Sequence, residues 1–282
     1  MTKTKKMSLD SEHIENGNLP FRNARRGLSI IKIGGNVIEN KEGLSDFIIA
    51  FSKIKGPKIL VHGGGKLATE LGKKLGIESK MVNGRRITDA QSLELITMVY
   101  AGLANKNIVA QLQAQNCNAI GLSGADGNSI QAHKRPIKEI DFGFVGDIDG
   151  INKETIAKLI EADLVPVFCA MSHDGNGQLL NTNADTIASE IAIGMSNQYK
   201  TTLYYCFEKK GVLMNVEDDN SVVKYINTES YQKLLKKEII VDGMLPKMHN
   251  CFHALNNNVE KVCIGDVTML NSKSTLYTTL TL

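Results

Sequence analysis

The chain has 282 residues, Lys+Arg 33 against Asp+Glu 30 for a formal net charge of +3, 42% hydrophobic residues and no Trp. That composition excludes a disordered or collagen-like chain, and the length is one at which a single domain begins to split into two. Six basic and three acidic residues fall between Met1 and Leu28, which leaves 27 of each sign in the other 254. The body is therefore neutral and lacks the basic footprint of a nucleic-acid binder.

The five cysteines (Cys117, Cys169, Cys206, Cys251, Cys263) are odd in number and widely spaced, with no C-x-x-C pair. They read as reduced thiols, not as a disulfide framework or a zinc site. No apolar core follows the basic N-terminus as in a secretory signal, and no apolar run reaches the roughly 18 residues of a membrane span. The expectation is a soluble, cytoplasmic protein with no membrane partner.

In chain order, residues 1–28 are polar and aperiodic and predict a flexible extension. Ser29–Ile33 is a short apolar, β-branched run that ends at Gly34-Gly35, the pattern of a buried strand. Helical texture follows over Leu44–Ile54. Lys58–Val61 is a second strand, ending in His62-Gly63-Gly64-Gly65. Leu67, Leu71 and Leu75 then predict one apolar stripe of a helix. Leu93, Ile96, Tyr100 and Leu103 do the same on a longer helix begun at Thr88-Asp89. Ala119–Leu122, Leu164–Phe168, Thr201–Cys206 and Lys261–Ile264 are further strands, and Ile130–Gly150 predicts hairpins decorating one edge of the sheet. Strands alternating with helices predict an α/β fold with a mainly parallel central sheet.

Two glycine clusters follow strands directly, at Gly34-Gly35 and Gly63–Gly65. In an open α/β sheet, ligands bind beyond the carboxyl ends of the strands, where glycine lets backbone N–H groups approach an anion. A P-loop is excluded, because Gly65-Lys66 is followed by Leu67 and the residue five before Gly65 is Leu60. A dinucleotide fingerprint fits Gly63, Gly65 and Ala68. Its acidic ribose partner is missing, however, because the sequence about 20 residues on is basic. His249 and His253 stand at i and i+4, but no third zinc ligand accompanies them.

Five separated motifs together resemble the acetylglutamate kinases of the amino acid kinase family: Ile31-Lys32-Ile33-Gly34-Gly35, Val61–Gly65, Asn83-Gly84-Arg85-Arg86-Ile87-Thr88, Asn181-Thr182-Asn183-Ala184-Asp185 and Asp242-Gly243-Met244-Leu245-Pro246-Lys247. The resemblance runs from about Ser29 to Ile264. It implies a three-layer αβα sandwich in which an acyl-amino-acid lobe (about 29–195) precedes a nucleotide lobe (about 196–282). It also implies transfer of the γ-phosphoryl of ATP, carried with Mg²⁺, to the side-chain carboxylate of N-acetylglutamate, on the way to arginine. In register with that family, Lys32 and Lys247 match the transition-state cations and Asp185 the carboxylate that orients them. Gly64, Gly65, Arg86 and Asn181 match substrate contacts, with Arg86 on the α-carboxylate. Gly34, Gly35, Glu208, Lys209 and Gly211 match phosphate or nucleotide contacts, although Glu208 stands where relatives often carry Asp. A homodimer or higher homo-oligomer is implied as well. No resident metal site is expected.

The same motifs leave the acyl group open, since N-succinylglutamate would need a partner for a second carboxylate, such as Lys80 or Arg85. The rivals are superfamily enzymes acting on aspartate, carbamate, glutamate or UMP, a non-catalytic sensor of nucleotide or amino acid, and an NAD-dependent oxidoreductase. A sensor has no use for Lys32, Asp185 and Lys247 together. Replacing Lys32 or Lys247 by alanine is expected to lose several kcal/mol of transition-state stabilisation with little change in folding.

Overall fold

The computed structural model describes residues 25–282, apart from 83, 241–243, 272, 273 and 275. The 1–24 portion of the predicted extension, Asn83, and Asp242-Gly243 of the last motif therefore lie outside the described residues.

The strands are β1 (Gly27–Ile33), β2 (Lys58–His62), β3 (Met81–Val82), β4 (Arg85–Arg86), β5 (Ala119–Leu122), β6 (Ile130–Lys134), β7 (Gly146–Ile151), β8 (Val165–Cys169), β9 (Met171–His173), β10 (Leu179–Asn181), β11 (Lys200–Cys206), β12 (Tyr225–Ile226), β13 (Lys261–Gly265) and β14 (Thr278–Leu280). The helices are α1 (Gly35–Glu39), α2 (Lys41–Ser52), α3 (Gly65–Lys74), α4 (Ala90–Thr97), α5 (Asn105–Ala114), α6 (Lys153–Glu161), α7 (Ala184–Met195), α8 (Thr228–Lys236) and α9 (Leu245–Asn256). The eight-stranded central sheet has the order β12-β14-β13-β11-β1-β2-β8-β5. Its pairings are parallel except for β13 against β14.

Strand parity builds the layers. On β1, Leu28 and Ile30 face one hydrophobic cluster, with α3, α4, α6, α7, α8 and α9. Ile31 and Ile33 face the other, under α2 and α5. Each face of the sheet is thus covered by helices, the αβα sandwich expected of buried parallel strands. Lys32 has the parity of Ile30 and so lies on the α7/α9 side, next to Tyr205 across the β1–β11 register. His62 has the parity of Leu60 and lies on the α5 side.

β1 lies between β2 and β11 in the middle of the sheet. The chain leaves it for β2 on one side and returns much later to β11 on the other. Such a reversal opens a crevice at the carboxyl ends of the strands, the usual ligand position of an open α/β sheet. Lys32 and Gly34-Gly35 end β1 at that point.

Three local expectations are corrected. The α3 stripe does not run through Leu75, which sits past the helix end and is 56% exposed. The buried positions are Ala68 and Gly72, with Leu67 and Leu71 half-buried. A Cβ on Gly72 would lie 2.9 Å from both the Ile77 carbonyl oxygen and Leu95 Cδ2, so small residues set this contact. Leu103 is 46% exposed because residues Met98–Ala104 form a π-helix, whose wider turn shifts the phase of the apolar stripe. The Ile130–Gly150 hairpin, β6 and β7, pairs with β9 and β10 in a separate four-stranded sheet and not with the central one. The predicted start of α4 is borne out, since the Asp89 carboxylate accepts the Ser92 N–H at 2.8 Å as an N-cap. The five cysteines are free and buried. Among the described residues, no helix is long and apolar enough to cross a membrane.

Candidate active site

Three elements bring charge to the end of β1. Lys32 is 8% exposed, and its Nζ lies 2.6 Å from Asp185 Oδ1. Asp185 is held in the first turn of α7, where the Asn183 side chain caps the helix by accepting the N–H groups of Asp185 and Thr186 at 2.8 and 3.2 Å. A carboxylate there also gains from the helix dipole. Lys247 enters from α9, just after Pro246, in the first turn of that helix. A cation at a helix N-terminus opposes the dipole, and no acidic residue shares the first turn. Burial lowers the pKa of Lys247; Asp185 opposes that shift and Lys32 adds to it. Lys247 is thus a partly desolvated ammonium at a helix start that its charge does not favour.

Under these groups lies an aromatic floor absent from the sequence expectations. Lys247 Nζ sits 3.9 Å and Lys32 Nζ 5.5 Å from the Phe207 ring centroid. Phe207 stacks on Tyr205 at 6.0 Å and 9°. The Tyr205 hydroxyl donates to the Asp185 carbonyl oxygen at 3.0 Å. In sequence, Phe207 follows a buried strand and reads as one more core aromatic, so no signal set it apart.

The two glycine turns flank this centre. A Cβ on Gly34 would sit 3.9 Å from Lys32 Nζ, so its absence keeps the space above the ammonium open. A Cβ on Gly35 would meet Glu39 Oε1 at 3.4 Å. Lys66 joins the turns by donating to Asn36 Oδ1 and lying 4.0 Å from Glu39 Oε2. A Cβ on Gly64 would come within 2.8 Å of Tyr100 Cδ1, and Gly65 borders the Tyr100 hydroxyl. The π-helical segment thus presents Tyr100 as the wall behind the second turn.

His62 holds that turn from below. It is fully buried; its Nδ1 bonds the Gly63 carbonyl oxygen at 2.7 Å, and its Nε2 lies 3.0 Å from Asn105 Nδ2. Asn105 Nδ2 donates as well to the Val167 carbonyl oxygen at 2.9 Å. The Asn105 donor facing Nε2 and the carbonyl facing Nδ1 fix the neutral ring, with the proton on Nδ1 and Nε2 accepting. Burial pushes the His62 pKa down to about 4. The unfolded ring takes a proton below pH 6.5 while the folded one does not, so stability falls with pH between about 6.5 and about 4. At pH 5 this one group is expected to remove about 2 kcal/mol relative to pH 7.5. Urea titrations of wild type and His62→Gln at both pH values check this, and equal pH slopes in the two proteins would dismiss the assignment.

Arg86, 7% exposed, lies beside the second turn. Its Nη2 donates to the Gly65 carbonyl oxygen at 2.9 Å and Thr69 Oγ1 at 2.8 Å, and its Nη1 donates to Ser79 Oγ. Three of the five guanidinium N–H groups are thus used in fixing the fork, and the Tyr100 hydroxyl also stands against it. Asn181 Nδ2 donates to Thr88 Oγ1 at 3.0 Å, tying the Arg86–Thr88 segment to the start of α7.

The loop after β11 carries the predicted nucleotide contacts Glu208, Lys209 and Gly211. Lys209 Nζ pairs with Asp219 at 2.8 Å, and both side chains are half-exposed. Glu208 is exposed and bears on Lys247 through its charge. Gly211 is a packing glycine: a Cβ there would lie 2.6 Å from Thr278 Oγ1 and 2.8 Å from Val222 Cγ1. His253 lies 3.1 Å from Glu190. Among the described residues, no group of three His, Cys, Asp or Glu side chains is placed to hold a metal ion.

Residues 27–266 match the sequence pattern of the amino acid kinase family. The acetylglutamate kinase of Cytophaga hutchinsonii is 50% identical over 258 residues, covering 90% of this chain and 98% of its own. That of Phocaeicola vulgatus is 51% identical over 247 residues, covering 88% and 96%. A solved protein of Streptococcus mutans superposes with a TM-score of 0.72 at 26% identity, covering 90% of this chain and 98% of that one.

Proposed function

The chain belongs to the amino acid kinase family, and on that premise we propose that it transfers the γ-phosphoryl group of ATP to the side-chain carboxylate of N-acetyl-L-glutamate. The products are N-acetylglutamyl 5-phosphate and ADP, a step toward arginine. The observation that carries this reading is the pair of ammoniums, Lys32 and Lys247, gathered with Asp185 at the carboxyl end of β1.

The reaction needs little else from the protein. A carboxylate with an unperturbed pKa of about 4.3 is already ionised at neutral pH, so no general base is required. The difficulty is that one anion must approach another while charge spreads over the transferring phosphoryl oxygens. A carboxylate oxygen forms the new bond to the γ-phosphorus, the bond to the β–γ bridging oxygen breaks, and its electron pair leaves on ADP. Lys32 and Lys247 supply fixed positive charge along that path. Asp185 keeps Lys32 aimed, and Arg86 offers its fixed guanidinium charge to the α-carboxylate. Magnesium bound to ATP would offset part of the phosphate charge that the two lysines meet.

In this reading the crevice divides the work. Residues of about 29–195, with Arg86, Asn181 and the Gly63–Gly65 turn, take the acyl amino acid. Residues of about 196–282 take the nucleotide, with Gly34-Gly35 at the phosphates between them. The five buried thiols suit a reducing cytoplasm. Exposed Met98 and Leu103 on the π-helix suit self-association into a homodimer or larger assembly.

ATP-dependent hydroxamate formation with N-acetylglutamate, N-succinylglutamate and free glutamate tests the assignment. Product with N-acetylglutamate is expected, and no product from any acylglutamate overturns it. Arg86→Lys keeps the charge but cannot span Gly65, Thr69 and Ser79 while gripping a carboxylate. It is expected to raise the acylglutamate KM at least about tenfold with the ATP KM unchanged. An ATP KM that rises equally would remove Arg86 from the acyl site.

A further inference from the structure

We infer that Phe207 is a positioning residue for phosphoryl transfer, its ring face holding the Lys247 and Lys32 ammoniums in place before the phosphates arrive. The inference rests on the kinase reading and extends it to a residue outside the charged set.

Lys32 pairs directly with Asp185, whose charge also bears on Lys247, and Lys32 makes Lys247 less basic. Like charges repel, and in an empty crevice they would spread apart. A second carboxylate would hold them, but it would neutralise the charge that must meet ATP and would occupy N–H donors. An aromatic face does neither. Its quadrupole attracts a cation within about 6 Å of the centroid, and it accepts no conventional hydrogen bond. Both ammoniums satisfy that distance, at 3.9 and 5.5 Å. The ring itself is fixed. It stacks on Tyr205, whose hydroxyl bonds the backbone of Asp185, and the Phe207 backbone N–H donates to the Gly265 carbonyl oxygen at 2.8 Å. One rigid platform thereby indexes both lysines to the residue that orients them. Positions held in advance matter because electrostatic catalysis depends on donors that need not reorganise during the reaction.

Leucine keeps the apolar bulk and removes the quadrupole, tyrosine keeps both, and ring-fluorinated phenylalanine keeps the shape while weakening the face. Phe207→Leu is expected to lower kcat about tenfold, with the KM of ATP and of acylglutamate within about twofold of wild type. Phe207→Tyr should stay within about twofold of wild type, and kcat should fall stepwise with each added fluorine at constant melting temperature. A leucine variant with unchanged kcat, a flat fluorine series, or a loss confined to the ATP KM would overturn the inference. A second readout is independent of turnover. In wild type carrying ¹³C-labelled lysine, the Lys247 ε-methylene should show an upfield ring-current shift that Phe207→Leu abolishes, with the resonance assigned by Lys247→Arg. No such shift overturns the inference whether or not the chain phosphorylates anything. A clear shift in a protein inactive on every acylglutamate would leave the contact standing and defeat the kinase reading instead.

Discussion

Lys32→Ala is expected to lower kcat about a thousandfold, near 4 kcal/mol of transition-state stabilisation, with the KM values changed far less. The magnitude follows from where the charge is needed. A cation that meets only the phosphoryl oxygens in flight contributes to kcat, whereas one that binds both ground and transition states would appear in KM. The structure also revises the expectation of unchanged folding. Lys32 and Asp185 form a largely buried pair at 2.6 Å, and removing one partner strands the other. Asp185 would then be an unpaired carboxylate close to Tyr205 and the α7 backbone. Lys32→Ala should therefore lose about 2–3 kcal/mol of stability as well. Adding Asp185→Asn should return most of that stability but none of the activity. Lys247→Ala makes the contrast. Its charge opposes the α9 dipole, which offsets the lost ring contact, so its loss should leave the melting temperature nearly level while kcat falls comparably. Steady-state kinetics and thermal melts of the three variants decide the matter. A Lys32→Ala protein with wild-type kcat would remove Lys32 from the chemistry.

What the sequence made legible was local. The β1 and β2 runs, the glycines that end them, the Asp89 cap and the Asp185 position all follow from patterns within about ten residues. Strand parity even puts Lys32 on one face and His62 on the other once the strands are known. Long-range facts were hidden. Nothing near Lys32 says that β11 is its neighbour, and so nothing singles out Tyr205 and Phe207 from the other apolar residues of that strand and its exit. The π-helix was hidden for another reason, because its phase shift looks like a broken heptad and left Leu103 on the wrong face. The Lys209 and Gly211 expectations came from motif register alone. Their side-chain surroundings, Asp219 for one and Thr278 with Val222 for the other, depend on chain segments that return from elsewhere.

Gly143→Ala is expected to destabilise the protein by about 3–5 kcal/mol and to damage acylglutamate binding selectively. Gly143 has φ +70, and a Cβ there would lie 2.1 Å from the Thr88 carbonyl oxygen and 2.8 Å from its carbonyl carbon. Neither atom is the mobile end of a side chain, so the backbone must separate. The bonds at stake are Phe144 N–H to the Thr88 carbonyl oxygen at 2.7 Å and Thr88 N–H to the Phe142 carbonyl oxygen at 2.9 Å. The same strap bonds onward, with Asn181 N–H donating to the Phe144 carbonyl oxygen at 2.9 Å. Thr88 is buried two residues after Arg86, and Asp89 caps α4, so moving it shifts the guanidinium and the helix start together. Gly56 supplies the control. Its φ is +79, but a Cβ would meet nothing within 4 Å, so Gly56→Ala should cost only the left-handed backbone penalty of about 1–2 kcal/mol. The difference between the two alanines, read by urea denaturation, isolates the clash from the backbone term. If Gly143→Ala matched Gly56→Ala in stability and kept the wild-type acylglutamate KM, the Thr88–Gly143 clasp would have no part in shaping the site. A large stability loss with the ATP KM intact would instead tie acyl recognition to a glycine that contacts no substrate.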